Sequence, residues 1–355
     1  MHILHVVGAR PNFMKAAPVV RALGEHSSVR QTIVHTGQHY DANMSDVFFQ
    51  QLAIPAPDVN LQVGSGSHAQ QTAEIISRFE PVVVERKPDL VLVYGDVNST
   101  VAAALVCAKL LVKVGHVEAG LRSFDRTMPE EVNRLLTDQV ADLLFTPSRD
   151  GNENLAREGV TPEKVHLVGN VMIDTLVRML PVARQQIPKD LPEQFVLVTL
   201  HRPSNVDDLP WLAKVIATLC EIAKDVPVVF PVHPRTRKNL ADAGLQPDGV
   251  RMIDPLPYIE FLGSQTRAAL VITDSGGIQE ETTYLGVPCI TVRENTERPI
   301  TIDLGTNHLV GRSVERIRST AYEVLNGPKK RAAIPPLWDG HAAERIAAII
   351  AASRF

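Results

Sequence analysis

Twelve short apolar runs, rich in β-branched residues and separated by longer helical patterns, constrain this chain more than any other feature. HILHVV, TIVHTG, DLVLVYGD, VGHVEAG, LLFTPS and VHLVGN occupy the first half, and FVLVTLH, VVFPVHP, VRMID, ALVITDS, PCITV and HLVG the second. Apolar residues are nearly continuous within each run, as in strands buried on both faces, which belong to parallel sheets covered by helices. The pattern predicts an α/β fold of two doubly wound, Rossmann-like domains. At 355 residues the chain is also too long for one ordinary core. The proline-marked polar stretch IPKDLPEQ, after a helical pattern that starts at Val171, suggests where the domains divide. Residues 1–170 form the first domain and 171–339 the second, and the amphipathic AAERIAAIIAAS within 340–355 packs back on the first. Domains of this kind facing across a cleft place ligands at the carboxyl ends of their strands, so the polar residues there are the candidates.

Composition narrows the function. A formal net charge of -4 gives no electrostatic footprint for nucleic acid. No segment approaches the ~20 apolar residues of a membrane span, and MHILHVVGAR reads as a first strand, not a signal peptide. Cys107, Cys220 and Cys289 are scattered, without metal spacing, and read as small core residues in a reducing cytoplasm.

In VITDSGGIQEETTYLG the strand ends at about Thr273, and Ser275, Gly276 and Gly277 open a helix. Free amides and the positive end of the dipole suit a phosphate there. At about 100° per residue, Ile278, Thr282 and Leu285 share a buried stripe, Glu281 flanks it and Glu280 points to solvent. An acid one turn beyond an anion site suits a vicinal diol such as a ribose, so the pattern suggests a nucleotide. Upstream, Tyr258 and Phe261 in PLPYIEFL either receive a base or simply pack.

The first domain carries a second set. VVGARPNFMK is not GxGxxG, which argues against a dinucleotide fingerprint; it places Arg10 and Lys15 at a strand-to-helix turn. Asp96 ends one strand, Glu118 ends another with His116 two residues earlier, and Glu130 opens the helical PEEVNRLL. An acid at the end of a buried strand is costly unless paired or used, and three together can divide acid and base roles. His116 and Glu118 lack a third metal ligand at suitable spacing, so no metal is assigned. In the second domain, His201 and Arg202 end one strand, and His233 and Arg235 end the next. One pair suits a diphosphate and the other suits backbone capping; the pattern alone does not choose between them.

These motifs resemble the non-hydrolysing UDP-N-acetylglucosamine 2-epimerases, whose fold is like that of GT-B glycosyltransferases. GARPNFMK, YGDVNST, GHVEAGLRS, MPEEVNR, FTPS, LHR, PVHP, TDSGGIQEE and TERP carry the resemblance over essentially the whole chain. It implies interconversion of UDP-GlcNAc and UDP-ManNAc through enzyme-bound 2-acetamidoglucal, with no cofactor, in a cytoplasmic homodimer that serves a surface polysaccharide. It further implies that Asp96, Glu118 and Glu130 are the catalytic carboxylates, with Lys15 and His201 as further catalytic members. Arg10, His201, Arg202, Ser275 and Gly276 would hold the leaving diphosphate, His233 and Gly277 would also bind the UDP-sugar, Glu281 would take the ribose, Phe261 would lie near the uracil, and Arg298 would reach the ligand. The chain departs from many members at Asn12, where they carry Glu, and in LHRPSNV. Those changes bear on allosteric activation by UDP-GlcNAc and leave room for a modified UDP-sugar. Rival readings are a hydrolysing 2-epimerase, a GT-B glycosyltransferase and a non-enzymatic UDP-sugar sensor.

Overall fold

The computed structural model of the chain describes residues 1–37, 54–328, 330 and 332–353, apart from the Arg10 side chain. It contains two compact units, Met1–Thr175 with Pro336–Phe355, and Leu176–Pro335. All twelve apolar runs contain strands, and the two-residue β3 was not foreseen. Unit 1 holds β1 (His2–Val7), β2 (Arg30–His35), β3 (Val59–Asn60), β4 (Leu90–Tyr94), β5 (Lys113–Val117), β6 (Leu143–Thr146) and β7 (Val165–Leu167). Their spatial order is β3-β2-β1-β4-β5-β6-β7. Unit 2 holds β8 (Val196–Thr199), β9 (Val228–Pro231), β10 (Val250–Ile253), β11 (Leu270–Thr273), β12 (Cys289–Thr291) and β13 (Asn307–Leu309), in the order β10-β9-β8-β11-β12-β13. Every pairing in the two sheets is parallel. This is the doubly wound α/β architecture that the apolar runs predict. Each sheet reverses its winding once, between β1 and β4 in unit 1 and between β8 and β11 in unit 2.

The crossovers are helical. Unit 1 has α1 (Arg10–Gly24), α2 (His68–Arg86), α3 (Asn98–Lys109), α4 (Pro129–Val140) and α5 (Arg149–Arg157), and α6 (Val171–Ala183) carries the chain into unit 2. There follow α7 (Pro203–Val206), α8 (Leu209–Ile222), α9 (Pro234–Asp242), α10 (Tyr258–Arg267), α11 (Gly276–Leu285), α12 (Ile300–Asp303) and α13 (Val314–Asn326). The strands on either side of each reversal are almost wholly buried, which explains their unbroken apolar sequences. Cys107 and Cys289 are buried, free thiols pushed up to about 12 by burial.

The last helix, α14 (Ala342–Ala352), lies in unit 1 and packs on α1. Its N-terminus is held by the buried Asp174 carboxylate, which accepts from the amides of Ala342 (3.1 Å) and Ala343 (2.7 Å). Just before it, the buried Trp338 indole donates to the Pro147 carbonyl at 2.9 Å. Arg354 and Phe355, at the end of the 340–355 segment, lie outside the described residues. Replacing Trp338 with Ala removes a large buried side chain and leaves that carbonyl unpaired, so unit 1 should lose about 3–5 kcal/mol. Guanidinium unfolding of the full chain measures this, and a loss below about 1 kcal/mol would show that Trp338 is not part of the unit 1 core.

Candidate active site

In unit 1 the loops after β1 and β4 leave the sheet at the reversal point, where a doubly wound sheet opens a crevice. Buried Asn12 ties the two loops together. Its Oδ1 accepts from the amides of Gly8 (3.1 Å) and Ala9 (3.0 Å), and its Nδ2 donates to the Tyr94 carbonyl at 2.7 Å. A glutamate could accept from the amides, but its carboxylate could not donate to Tyr94. Arg10 opens α1 beside it, and its side chain lies outside the described residues.

One turn along α1, buried Lys15 forms an ion pair with buried Glu118. Glu118 follows β5 with φ at +73°, a left-handed conformation that costs a non-glycine residue about 1–3 kcal/mol. Under the Lys15 ammonium lies Gly95, with φ +63°, and a Cβ there would come within 2.6 Å of Lys15 Nζ. Asp96 comes next. Its carboxylate accepts from Arg134 Nε at 2.9 Å and its carbonyl from Asn133 Nδ2 at 2.8 Å. Arg134 also pairs with Glu131, which is buried and receives the amides of Ser123 and Phe124, both at 2.9 Å. The structural acid of α4 is therefore Glu131, while the predicted Glu130 is half-buried beside it.

Below the Gly95–Asp96 turn, the fully buried His116 ring sits between Asp138 Oδ1 (2.6 Å from Nδ1) and the Gly95 carbonyl (2.8 Å from Nε2). Asp138 Oδ2 pairs with Arg122 at 2.7 Å and accepts the Gly120 amide, and Arg122 makes a two-pronged pair with Glu158. Burial alone would raise the Asp138 carboxyl, but the His116 and Arg122 charges and hydrogen bonds outweigh it and hold it below the usual range. In the sequence His116 reads as a candidate metal ligand and Asn12 as a departure from the family, and no motif singles out Asp138, Arg122 or Arg134.

Unit 2 is organised around Asp274, which is fully buried. It accepts from the backbone amides of His201 (3.1 Å) and Arg202 (2.9 Å) and from Asn205 Nδ2 (3.0 Å), all beyond the end of β8. The His201 ring also pairs with Asp274 through Nδ1 at 2.9 Å, and about half of its side chain is exposed. Arg202 Nε donates to the Asp274 carbonyl at 3.1 Å. Ser275 precedes α11, and no side chain caps that helix among the described residues, so its first-turn amides at Gly276 and Gly277 can receive an anion.

The two acids of α11 are both buried. Glu281 accepts from Tyr258 Oη (3.0 Å) and Gln265 Nε2 (2.6 Å), and burial raises its carboxyl despite both bonds. Glu280 corrects the expectation of a solvated charge: it is 1% exposed and pairs with Arg298 Nε at 2.7 Å. The helical wheel identifies one apolar face, but the strap from Arg293 to Arg298 covers the face opposite. Arg298 also pairs with Glu297, which pairs with Arg293 at 2.7 Å. A Cβ at Gly276 would lie within 2.6 Å of Arg298 Nη1, so this glycine makes room for the guanidinium. Phe261 packs, partly buried, against the core of this unit. His233 is exposed at the start of α9, and its Nδ1 accepts the Arg235 amide at 3.3 Å. It is a helix cap and makes no bond to the Asp274 cluster.

Among the described residues, no helix is long and apolar enough to cross a membrane and no group of three His, Cys, Asp or Glu side chains is arranged to hold a metal ion. A family model described as UDP-N-acetylglucosamine 2-epimerase matches residues 21–351. The chain is 41% identical over 361 residues to the UDP-N-acetylglucosamine 2-epimerase of Methanococcus maripaludis, covering 97% of each chain. It is 46% identical over 324 residues to the UDP-2,3-diacetamido-2,3-dideoxy-D-glucuronate 2-epimerase of Pseudomonas aeruginosa, covering 90% of this chain and 91% of that one. The solved structure of the Methanocaldococcus jannaschii UDP-GlcNAc 2-epimerase, in complex with UDP-GlcNAc and UDP, matches with a TM-score of 0.91 at 40% identity. That match covers 99% of this chain and 100% of the other.

Asp274 yields a test of the unit 2 cluster. Burial pushes its carboxyl up, but the His201 ring and the Asn205 and Arg202 donors outweigh this and hold it below the usual range. A depressed carboxyl stabilises the fold fully above the unfolded value, about 3.9, and this is lost as pH falls through the folded value. Asp274→Ala strands the donors and should cost about 3–5 kcal/mol near neutral pH. In urea unfolding across a pH series, the gap to wild type should close in acid; a gap that widens there would refute this account.

Proposed function

The chain belongs to the UDP-N-acetylglucosamine 2-epimerase family, and from that premise we propose that it interconverts UDP-GlcNAc and UDP-ManNAc without hydrolysing them. The observation that carries the reading is the buried Lys15–Glu118 pair beside Asp96, at the strand ends of the unit 1 reversal. A carboxylate takes the C2 proton, the C2–H electrons become the C1–C2 double bond, and UDP leaves with the electrons of the C1–O bond. Proton return to the opposite face of C2 and re-addition of UDP at C1 complete the exchange. No electrons are gained or lost overall, so the chemistry needs no redox cofactor. Inversion requires proton traffic on two faces, which accounts for more than one acid: Asp96, Glu118 and Glu130 are assigned to it, with Lys15 setting the charge beside Glu118.

In unit 2, the α11 amides, Ser275, Arg202, the half-exposed His201 ring and Arg298 would receive the diphosphate as its charge grows on leaving. Arg10 belongs to the same phosphate reading, and His233 to the wider UDP-sugar reading. Glu281 retains accepting capacity beyond its bonds to Tyr258 and Gln265, enough for the ribose diol, with Phe261 towards the uracil. A homodimer working in the cytoplasm, which the family resemblance implies, completes this reading. A second substrate has one specific support: the Pseudomonas aeruginosa relative, named for a UDP-diacetamido-glucuronate, is 46% identical. The bond changes at C1 and C2 would be the same for both sugars.

Proton NMR of the enzyme with each UDP-sugar in deuterated water tests the proposal. The C2 epimer should appear with deuterium at C2 in both epimers and no free sugar; release of free ManNAc and UDP would assign the hydrolysing reaction instead. Asp96→Asn and Glu118→Gln should each lower kcat by about 10²–10⁴-fold while UDP affinity stays within about twofold. Either variant retaining full turnover would remove that residue from the proton traffic.

A further inference from the structure

We infer that His116 is a positioning residue for this reaction: anchored on Asp138, its ring clamps the Gly95 carbonyl and so fixes the turn that lays Gly95 against Lys15 and carries Asp96 as its next residue. The inference rests on the proposed role of those three charged residues and extends it to a group that need not touch the substrate.

The ring has an acceptor on each side. Gly95 offers a carbonyl, which only accepts, at 2.8 Å from Nε2. Asp138 is already fixed as a carboxylate by Arg122 and the Gly120 amide on Oδ2, so its Oδ1, 2.6 Å from Nδ1, accepts as well. Only an imidazole protonated on both nitrogens can satisfy both partners. The ring is completely buried, and such a charge is tolerable because it belongs to an alternating chain of His116, Asp138, Arg122 and Glu158.

The clamped peptide has little freedom left. The Gly95 amide donates to the Val117 carbonyl at 3.0 Å while its own carbonyl is held by His116. Its α-carbon faces Lys15 so closely that a side chain there would collide with the ammonium. Asp96 is attached to this peptide and is secured by Arg134 on its carboxylate and Asn133 on its carbonyl. Releasing the Gly95 carbonyl lets the peptide rotate, which shifts Asp96 and the floor under Lys15 together. A misplacement near 1 Å is enough to cost on the order of 100-fold in rate.

The test uses the full chain with His116→Gln, Asp138→Asn and the double variant. Each single change should lower kcat and the rate of C2 deuterium exchange in parallel, by about 10- to 100-fold. KM and the calorimetric Kd for UDP should stay within about twofold, and the double variant should be no worse than the poorer single, because the two side chains act as one unit. Wild-type kcat in the folded variants, or UDP affinity falling as far as kcat, would overturn the inference in favour of a purely structural role. NMR of wild-type enzyme with ¹⁵N-labelled histidine is independent of how the variants fold: it should show one buried ring protonated on both nitrogens. A neutral ring would overturn the clamp. If wild type exchanges C2 on neither sugar, the functional reading itself fails, an outcome distinct from active wild type with unimpaired variants.

Discussion

In each unit one buried polar side chain holds two loops together at the point where the winding of the sheet reverses, and the rest of the site is hung from that bond. The loops there diverge, and their backbone groups cannot be left unpaired in a buried place. In unit 2 the loose groups are donors, the amides of His201 and Arg202 and the Asn205 side chain, and the residue that meets them is a carboxylate, Asp274. In unit 1 they are two amides and a carbonyl, and the residue is an amide, Asn12, which can accept and donate. The choice of Asp in one unit and Asn in the other follows from the sign of the groups to be satisfied.

Charges placed on these scaffolds are paired almost wherever they are buried. Lys15 with Glu118, Arg134 with Asp96, Arg122 with Asp138 and Glu158, and Arg298 with Glu280 join residues well apart in sequence, while Glu131 and Glu297 add local partners to Arg134 and Arg298. Such pairs add little net stability, since desolvation offsets most of their attraction, but removing one partner is costly. What they supply is fixed geometry for groups that would otherwise be flexible. The proton transfer and diphosphate departure proposed above would each gain from such fixed geometry.

The two-unit α/β fold was legible because parallel strands buried on both faces leave unbroken apolar runs, and even the end of β11 at Thr273 could be read. The acids at strand ends were legible too, because a charge there has few structural excuses. Partnerships were much less so. Glu280 looks solvated on a helical wheel, which knows only its own helix; its partner Arg298 arrives from a later strap. Asp274 looks like an ordinary helix cap, because the amides it serves lie about seventy residues earlier in the chain. Glu130 and Glu131 are adjacent, and the pattern cannot say which one the loop at Ser123 and Phe124 will bury. β3 escaped notice because two residues are too few to show a period.

The left-handed backbone at Glu118 shows how local strain and distant pairing act together. Along β5 alternate residues share a face, so Glu118 in continued strand would follow His116 into the interior beneath the turn. Instead the amides of Glu118 and Ala119 both donate to the Phe145 carbonyl, at 3.1 and 3.0 Å, and the chain breaks its alternation there. The carboxylate is thereby turned to Lys15 on α1, while His116 stays below, bound to Asp138 and the Gly95 carbonyl. A glycine would adopt φ +73° with less strain but would bring no carboxylate. Retaining glutamate there is stable only because the Lys15 pair and the shared carbonyl hold it in place. The strain therefore serves to separate two neighbouring groups of one strand, an acid turned to Lys15 and an imidazole held by Asp138 and the Gly95 carbonyl.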